Sequence, residues 1–235
     1  MKLLLDHGAD VNVGHRPLFR TALMHAAFRG CKPSVTLLLD QGADVGHEDI
    51  DGKAALVIAA ENGQVEVLDL LLAKYVGEAA EKSGLSAKLF CAAAWYGKTG
   101  TIEHLVRRGF DIESKDADGQ TALALVAGGG NQKAVAELLQ AGADIDAEDR
   151  YRNTALSAAV RWGNKKVVEV LLQRGANIEA RDRSGSTPLI TACYFGRETI
   201  AKWLVEEGAK VGAKDACGQT ALIHAAANGL SSVVY

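Results

Sequence analysis

Three groups of residues in this 235-residue chain have types and spacings that could do chemistry. The string Tyr96-Gly97-Lys98-Thr99-Gly100 holds the Gly-Lys-Thr end of a phosphate-binding loop, in which backbone N–H groups and a lysine cradle a polyphosphate. Such a loop also needs a glycine five residues before the Gly-Lys pair, and Ala92 stands there. Aspartates recur at Asp49, Asp116, Asp149, Asp182 and Asp215, and paired carboxylates are a common basis of acid–base catalysis. Six histidines (His7, His15, His25, His47, His104, His224) and four cysteines (Cys31, Cys91, Cys193, Cys217) complete the set. The cysteines have no Cys-x-x-Cys spacing, so neither a zinc site nor a disulfide framework is indicated. No serine or cysteine has a histidine placed by sequence as a dyad partner, and no catalytic residue, metal ligand or cofactor is assigned.

The elements that would have to position these residues come from a recurrence of 33 residues. Blocks begin at Thr21, Ala54, Lys88, Thr121, Thr154, Thr187 and Thr220, with one spacing of 34, and a glycine follows each start by nine residues, from Gly30 to Gly229. Leu23, Leu56, Phe90, Leu123, Leu156, Leu189 and Leu222 sit two residues after the start, followed by small residues such as Ala26–Ala27 and Ala59–Ala60. That spacing makes one apolar stripe on a short helix and lets a neighbouring helix come close. The leading Thr suits the N-cap, Pro188 the position just inside it, and the glycine a left-handed helix end. A second helix follows, with apolar positions such as Val35, Leu38 and Leu39, or Val168, Leu171 and Leu172. A Gly-Ala-Asp block or a relative of it (Gly42, Gly109, Gly142, Gly175, Gly208) stops it, and a β-branched residue such as Val45, Ile112 or Ile145 is expected to start an extended finger tipped by an Asp-x-x-Gly turn.

Self-similarity at this period, with a Thr-Pro-Leu-His-x-Ala-like core, resembles the ankyrin-repeat family over nearly the full length. The resemblance implies an all-α fold, an α-solenoid of stacked antiparallel helix pairs with β-turn fingers. One unit cannot bury its stripe alone, so stability comes from stacking. We expect one domain over 1–235, with repeats at about 1–15 (partial), 16–48, 49–82, 83–115, 116–148, 149–181, 182–214 and 215–235 (partial). Both ends fall inside a helix pair without a capping repeat, so the chain is expected to be a fragment.

The repeat frame reassigns the candidate chemistry. Gly97 is the helix-ending glycine, the recurring aspartates are turn formers, and His25 and His224 share one internal helix position, which favours a hydrogen-bonded structural role. Departures mark weak points. The stretch after Leu72 lacks Gly-Ala-Asp and Asp-x-x-Gly, and Lys88 replaces the capping Thr, so an irregular, hinge-like finger is expected. Gly128 and Gly129 should loosen their helix end by about 1 kcal/mol each, and Arg152 stands at the glycine corner of a finger.

Twenty-six basic and 29 acidic residues give a net charge of −3, which disfavours nucleic acid and acidic membranes as partners. The Met1–Asp10 start is too short for a signal peptide and no run is long enough to span a membrane, so a cytoplasmic monomer is expected, with the nucleus open as well.

By resemblance, partners of such repeats meet the finger tips and the residues before each helix-ending glycine. Those pairs are Phe28–Arg29, Glu61–Asn62, Trp95–Tyr96, Gly128–Gly129, Arg161–Trp162, Tyr194–Phe195 and Ala227–Asn228. Six of these 14 positions are aromatic in a chain with 6% aromatic residues, so the enrichment needs a cause. Stacking on neighbouring repeats is one, and partner binding the other. Two fingers add Arg150, Tyr151, Arg152, Arg181 and Arg183. The expected function is a non-catalytic interaction scaffold for a protein or peptide with acidic and apolar anchors, bound through Phe28, Arg29, Trp95, Tyr96, Arg161, Trp162, Tyr194, Phe195 and these finger residues. The alternatives are a recognition arm of a ligase, kinase or NTPase, and a passive spacer. Asn12, with Leu4 upstream, also resembles the asparagine that a hydroxylase modifies in this family.

Overall fold

The computed structural model describes residues 1–75 and 82–230, which fall into two compact units, Met1–Phe110 and Asp111–Tyr235. In the first unit the helices are α1 (Lys2–Asp6), α2 (Ala22–Arg29), α3 (Lys32–Asp40), α4 (Ala55–Asn62), α5 (Val65–Tyr75), α6 (Lys82–Trp95) and α7 (Thr99–Arg107). The second unit holds α8 (Ala122–Gly128), α9 (Gln132–Gln140), α10 (Ala155–Trp162), α11 (Lys165–Gln173), α12 (Pro188–Tyr194), α13 (Glu198–Glu206) and α14 (Ala221–Ala227). Among the described residues the only β structure is three isolated bridges, at His15–Arg20, Glu48–Ala54 and Lys214–Thr220. The architecture is the all-α stack expected from the repeat.

Within each unit the first helix of a block packs on the first helix of the next, α2 on α4 on α6 and α8 on α10 on α12 on α14, while each second helix folds back onto its own first. The stripe leucines are at the centre of these contacts. Leu23, Leu56, Phe90, Leu123, Leu156 and Leu189 are buried, and each removes a side chain's worth of apolar surface, about 1.5–3 kcal/mol. Leu222 on α14 is the exception and is exposed.

The start signals act as expected where threonine is present. The hydroxyls of Thr21, Thr121, Thr154 and Thr187 accept a hydrogen bond from the third backbone N–H of their helices. At Thr154 the bond is reciprocated, because Ser157 Oγ accepts from the Thr154 N–H at 2.7 Å. Ala54 keeps the same extended backbone without a cap bond, and Thr220 makes none either. Lys88 departs from the expectation. It lies inside α6, which already runs from Lys82, and therefore caps nothing. No Asp-led turn or threonine interrupts that segment, and its Lys, Leu and Ala residues propagate helix instead. The irregular finger expected between Leu72 and Lys88 is thus helix at both ends, and its middle, 76–81, lies outside the described residues.

The fingers also differ from the expected extended form. Ile145 and Ile178 sit within turns rather than opening the extended part of the finger. The preceding residue causes this: Asp144 Oδ1 accepts from the Asp146 N–H at 3.0 Å, and Asn177 Oδ1 from the Glu179 N–H at 3.0 Å, closing an Asx turn across the β-branched residue. The tip is a second turn. The Asp49 carboxylate accepts from the N–H groups of Asp51 and Lys53, and Asp116, Asp149 and Asp215 repeat the arrangement. Arg152 occupies the left-handed corner at φ +62°, as Phe19 does at +56° in the first finger, where the fingers tipped by Gly52, Gly119, Gly185 and Gly218 use glycine.

Replacing Thr154 by Ala removes the bond that its hydroxyl accepts from the Ser157 N–H while keeping the one its own backbone N–H donates, and should lower the unfolding free energy by about 1 kcal/mol. Thr220→Ala, at a helix start with no cap bond, should cost clearly less. Chemical denaturation of the two variants checks the difference.

Candidate protein-interaction face

The positions before each helix-ending glycine point outward because that glycine reverses the chain. All seven adopt positive φ, from +64° at Gly97 to +82° at Gly163. This leaves the last carbonyls of the first helix without intrahelical partners, and the next block supplies donors. Asn164 Nδ2 donates to the carbonyls of Ala127 and Gly128 at 2.9 and 2.7 Å, and Arg197 Nε donates to that of Arg161 at 3.0 Å. The donor lies on the preceding glycine, so a Cβ at Gly130 would come within 2.8 Å of Asn164 Oδ1. In the first unit Lys98 takes this place, its Cδ 3.2 Å from where a Cβ on Gly63 would be. The lysine of the apparent phosphate loop is therefore laid along a neighbouring repeat.

The aromatic residues are exposed, as their positions imply. In the second unit Trp162 is 66% exposed, Tyr151 and Tyr194 each 58%, and Phe195 38%. The Tyr194 and Phe195 rings meet edge to face at 4.9 Å, and the Arg161 guanidinium lies 5.2 Å from the Phe195 centroid. Arg183 lies 6.0 Å from the centre of Tyr151, and its N–H donates to the Tyr151 carbonyl at 2.8 Å, tying the two fingers together. These contacts make two clusters, Arg161–Phe195–Tyr194 and Arg183–Tyr151, which meet at one groove lined by Tyr151, Arg161 and Arg183. Trp162 is held next to these clusters by an unexpected seat: a Cβ on Gly128 would fall 3.3 Å from the indole Cδ1. Gly128 has no positive φ to explain it, so the glycine that looked like a weak point in the sequence makes room for the ring.

The finger arginines do not share one role. Arg152 pairs with Glu148 at 3.1 Å, and Arg181 donates to the carbonyls of Gly185 and Lys214 at 2.7 and 2.8 Å, so both are spent on finger structure. Arg150 is exposed, its Cγ 2.7 Å from where a Cβ on Gly119 would be. In the first unit two of the expected aromatic positions, Phe28 and Tyr96, form separate pairs, besides Arg16 over Phe19 in the first finger. Arg29 stands 5.9 Å from the Phe28 ring, and Lys53 stands 5.9 Å from the Tyr96 ring while also pairing with Glu61. Trp95 beside it is 56% exposed.

Two adjoining grooves run beside the clusters of the second unit. One, of about 340 Å³, is lined by Tyr151, Asn153, Arg161, Asp182, Arg183 and Ser184. The other, of about 370 Å³, shares Arg161, Asp182 and Ser184 and adds Tyr194, Phe195, Asp215, Gln219 and His224, among others. Sequence reasoning passed over the polar floor of the second groove. Its centre is a hydrogen-bonded pair, His224 Nε2 to Asp215 Oδ2 at 3.1 Å, with the imidazole also edge-on to Tyr194 at 5.5 Å. The hydrogen bond from His224, with those from the Gln219 and Cys217 N–H groups, holds the Asp215 carboxyl below the usual carboxylate range. A signal for the pair did exist: the turn aspartate stands five residues before the block start and the histidine four after it. His25 has no such partner, because Arg16 occupies the equivalent turn position, and it is exposed. The shared hydrogen-bonded role expected for the two histidines therefore holds for His224 alone.

Among the described residues no group of three or more His, Cys, Asp or Glu could hold a metal ion, and no helix is long and apolar enough to cross a membrane. Cys193 is buried, which pushes its thiol up to about 11 and keeps it protonated.

Residues 1–82 and 89–182 match the family described as ankyrin repeats (3 copies), and residues 171–225 the one described as ankyrin repeats (many copies). The chain belongs to the ankyrin-repeat family. Repeats of this family are protein-interaction repeats, and the chain's relatives are themselves ankyrin-repeat proteins. It is similar to the Protein fem-1 homolog A-like of Mus musculus, 32% identical over 105 residues that cover 45% of this chain and 16% of the relative. It is also similar to the Ankyrin repeat domain-containing protein 63 of Homo sapiens, at 36% over 107 residues, 43% of this chain and 27% of the relative. The Probable E3 ubiquitin-protein ligase XBOS33 of Oryza sativa subsp. japonica is 42% identical over 86 residues, 36% of this chain and 16% of the relative. The chain thus matches well under a third of the length of each of these relatives.

Gly128→Ala should displace the Trp162 indole while favouring the helix by about 1 kcal/mol. Emission and acrylamide quenching of Trp162, with Trp95 and Trp203 changed to Phe, report the displacement. An unchanged spectrum would contradict the seat.

Proposed function

We propose that this ankyrin-repeat chain is a non-catalytic, monomeric protein- or peptide-binding module whose principal recognition face lies in the second unit. The carrying observation is the pair of exposed clusters, Arg161–Phe195–Tyr194 and Arg183–Tyr151, that border one groove, flanked by Trp162 on its glycine seat. Fold stability does not require these rings, because Glu61–Asn62 and Ala227–Asn228 occupy equivalent positions with nothing comparable. Trp, Tyr and Arg are the residue types that dominate interface energetics, since each joins a large desolvated area to a directed polar contact. Phe28–Arg29 and Trp95–Tyr96 present the same chemistry in the first unit and are proposed as further contacts. A non-catalytic role is supported by the turn aspartates and by Lys98, whose structural duties account for the groups that most resembled an active site.

A second reading is favoured by the similarity to the rice protein named as a probable E3 ubiquitin-protein ligase. In that reading the same face selects a substrate for a catalytic domain carried elsewhere in a longer protein. Both readings use the face alike.

The test is affinity capture from native lysate with the wild-type chain and with Trp162→Ala/Tyr194→Ala, followed by titration of the principal captured protein. The double variant should lose several kcal/mol of binding free energy, as expected for two anchor residues, with its helical circular dichroism unchanged. Equal binding by both chains would remove the aromatic face as the site.

A further inference from the structure

We infer that the groove between the fingers at 149–153 and 182–186 reads a single carboxylate on the partner, clasped by Arg161 and Arg183. This rests on the proposed peptide-binding role of the same face and adds the chemistry of the group that is recognised.

Both guanidiniums are held against aromatic rings, Arg161 against Phe195 and Arg183 against Tyr151. Neither makes a hydrogen bond or ion pair through its guanidinium among the described residues, whereas Arg152 and Arg181 spend theirs inside the fingers. A guanidinium stacked on a ring keeps its in-plane N–H edge free and has already lost part of its rotamer freedom, which favours forked binding of a planar carboxylate. The 340 Å³ groove that both line is at the low end of the range for ligand clefts, roughly 300–1,000 Å³. It suits one or two side chains.

The first groove carries a net positive charge that the second lacks. The first has two arginines against Asp182, one of whose oxygens is already used by the Ser186 N–H and the Ser184 hydroxyl. The second shares Arg161 and Asp182 but adds Asp215, which is paired with the titratable His224 and has no second arginine beside it. A run of carboxylates crossing both grooves would therefore be attracted at one and meet the Asp182 and Asp215 carboxylates, without a second arginine, at the other. The segment that fits has one carboxylate beside the Tyr151 finger and uncharged neighbours over Tyr194 and Phe195.

The test uses pools of short biotinylated peptides randomised over Leu, Ser, Gly and Tyr, with one fixed Glu, one fixed Gln, one fixed Lys, or three consecutive Glu. The single-Glu pool should retain the most protein. Arg161→Gln/Arg183→Gln should lower that retention roughly tenfold, to the level of the Gln pool. Lys165→Gln/Lys202→Gln removes the same charge from the second helices and should leave retention unchanged. Equal retention by the Glu and Gln pools, greater retention by the triple-Glu pool, an equal loss in the lysine control, or no retention of any pool overturns the inference. Trp162→Ala/Tyr194→Ala separates it from the reading beneath it. If that variant lowers the Glu and Gln pools together while the arginine variant changes neither, peptide binding stands and the carboxylate clasp fails. If only the arginine variant has an effect, the clasp stands and the aromatic anchors fail.

Discussion

The structure depends on how the first helix of each block ends. A glycine in the left-handed region reverses the chain and leaves backbone carbonyls without partners, a cost of about 1–3 kcal/mol for each buried group left unsatisfied. The following block meets that cost with a side chain laid over the glycine, Asn164 over Gly130 and Arg197 over Gly163. Helix termination and repeat stacking are thus one interaction. It couples nearest neighbours, in keeping with the additive energetics of repeat arrays. It also forces the two residues before the glycine to the surface, where the repeat makes no demand on their identity.

That division explains why the groups that look chemical in the sequence are mostly architectural. A finger aspartate that accepts two backbone N–H bonds has its donors chosen by the turn, and its recurrence follows from the recurrence of the turn. At Asp49 burial alone would raise the carboxyl, and the bonds from Lys53 N–H, Arg20 and Asp51 N–H more than offset this. The net effect is a carboxyl below its ordinary value of 3.8, so its contribution to stability is present above that pH and is lost as pH falls through the lowered value. The function of such a carboxylate is to hold a finger, and the fingers present Tyr151 and Arg183.

Much of this was legible in the sequence because it repeats. Helix starts, left-handed glycines, buried leucines and outward aromatic pairs each occupy a fixed offset, so one block informs the others. What was not legible depends on contacts between positions the period does not relate. Lys88 reads as a failed cap only until the absence of any stop signal upstream lets α6 begin at Lys82. Ile145 reads as the start of an extended finger until Asp144 closes a turn across it. The five finger and helix arginines look equivalent by type, yet Glu148 and two carbonyls remove Arg152 and Arg181 from the surface chemistry, leaving Arg161 and Arg183 on their rings. Gly128 reads as a weakness because its use, an indole seat, comes from the next block.

The central claim is that function resides on the positions the repeat leaves free. Hydrogen–deuterium exchange of the chain with its captured partner, compared with the chain alone, tests it most directly. New protection is expected at the 149–153 and 182–186 fingers and the last turns of α10 and α12, with α11 and α13 unchanged. Protection confined to α11 and α13 would contradict it.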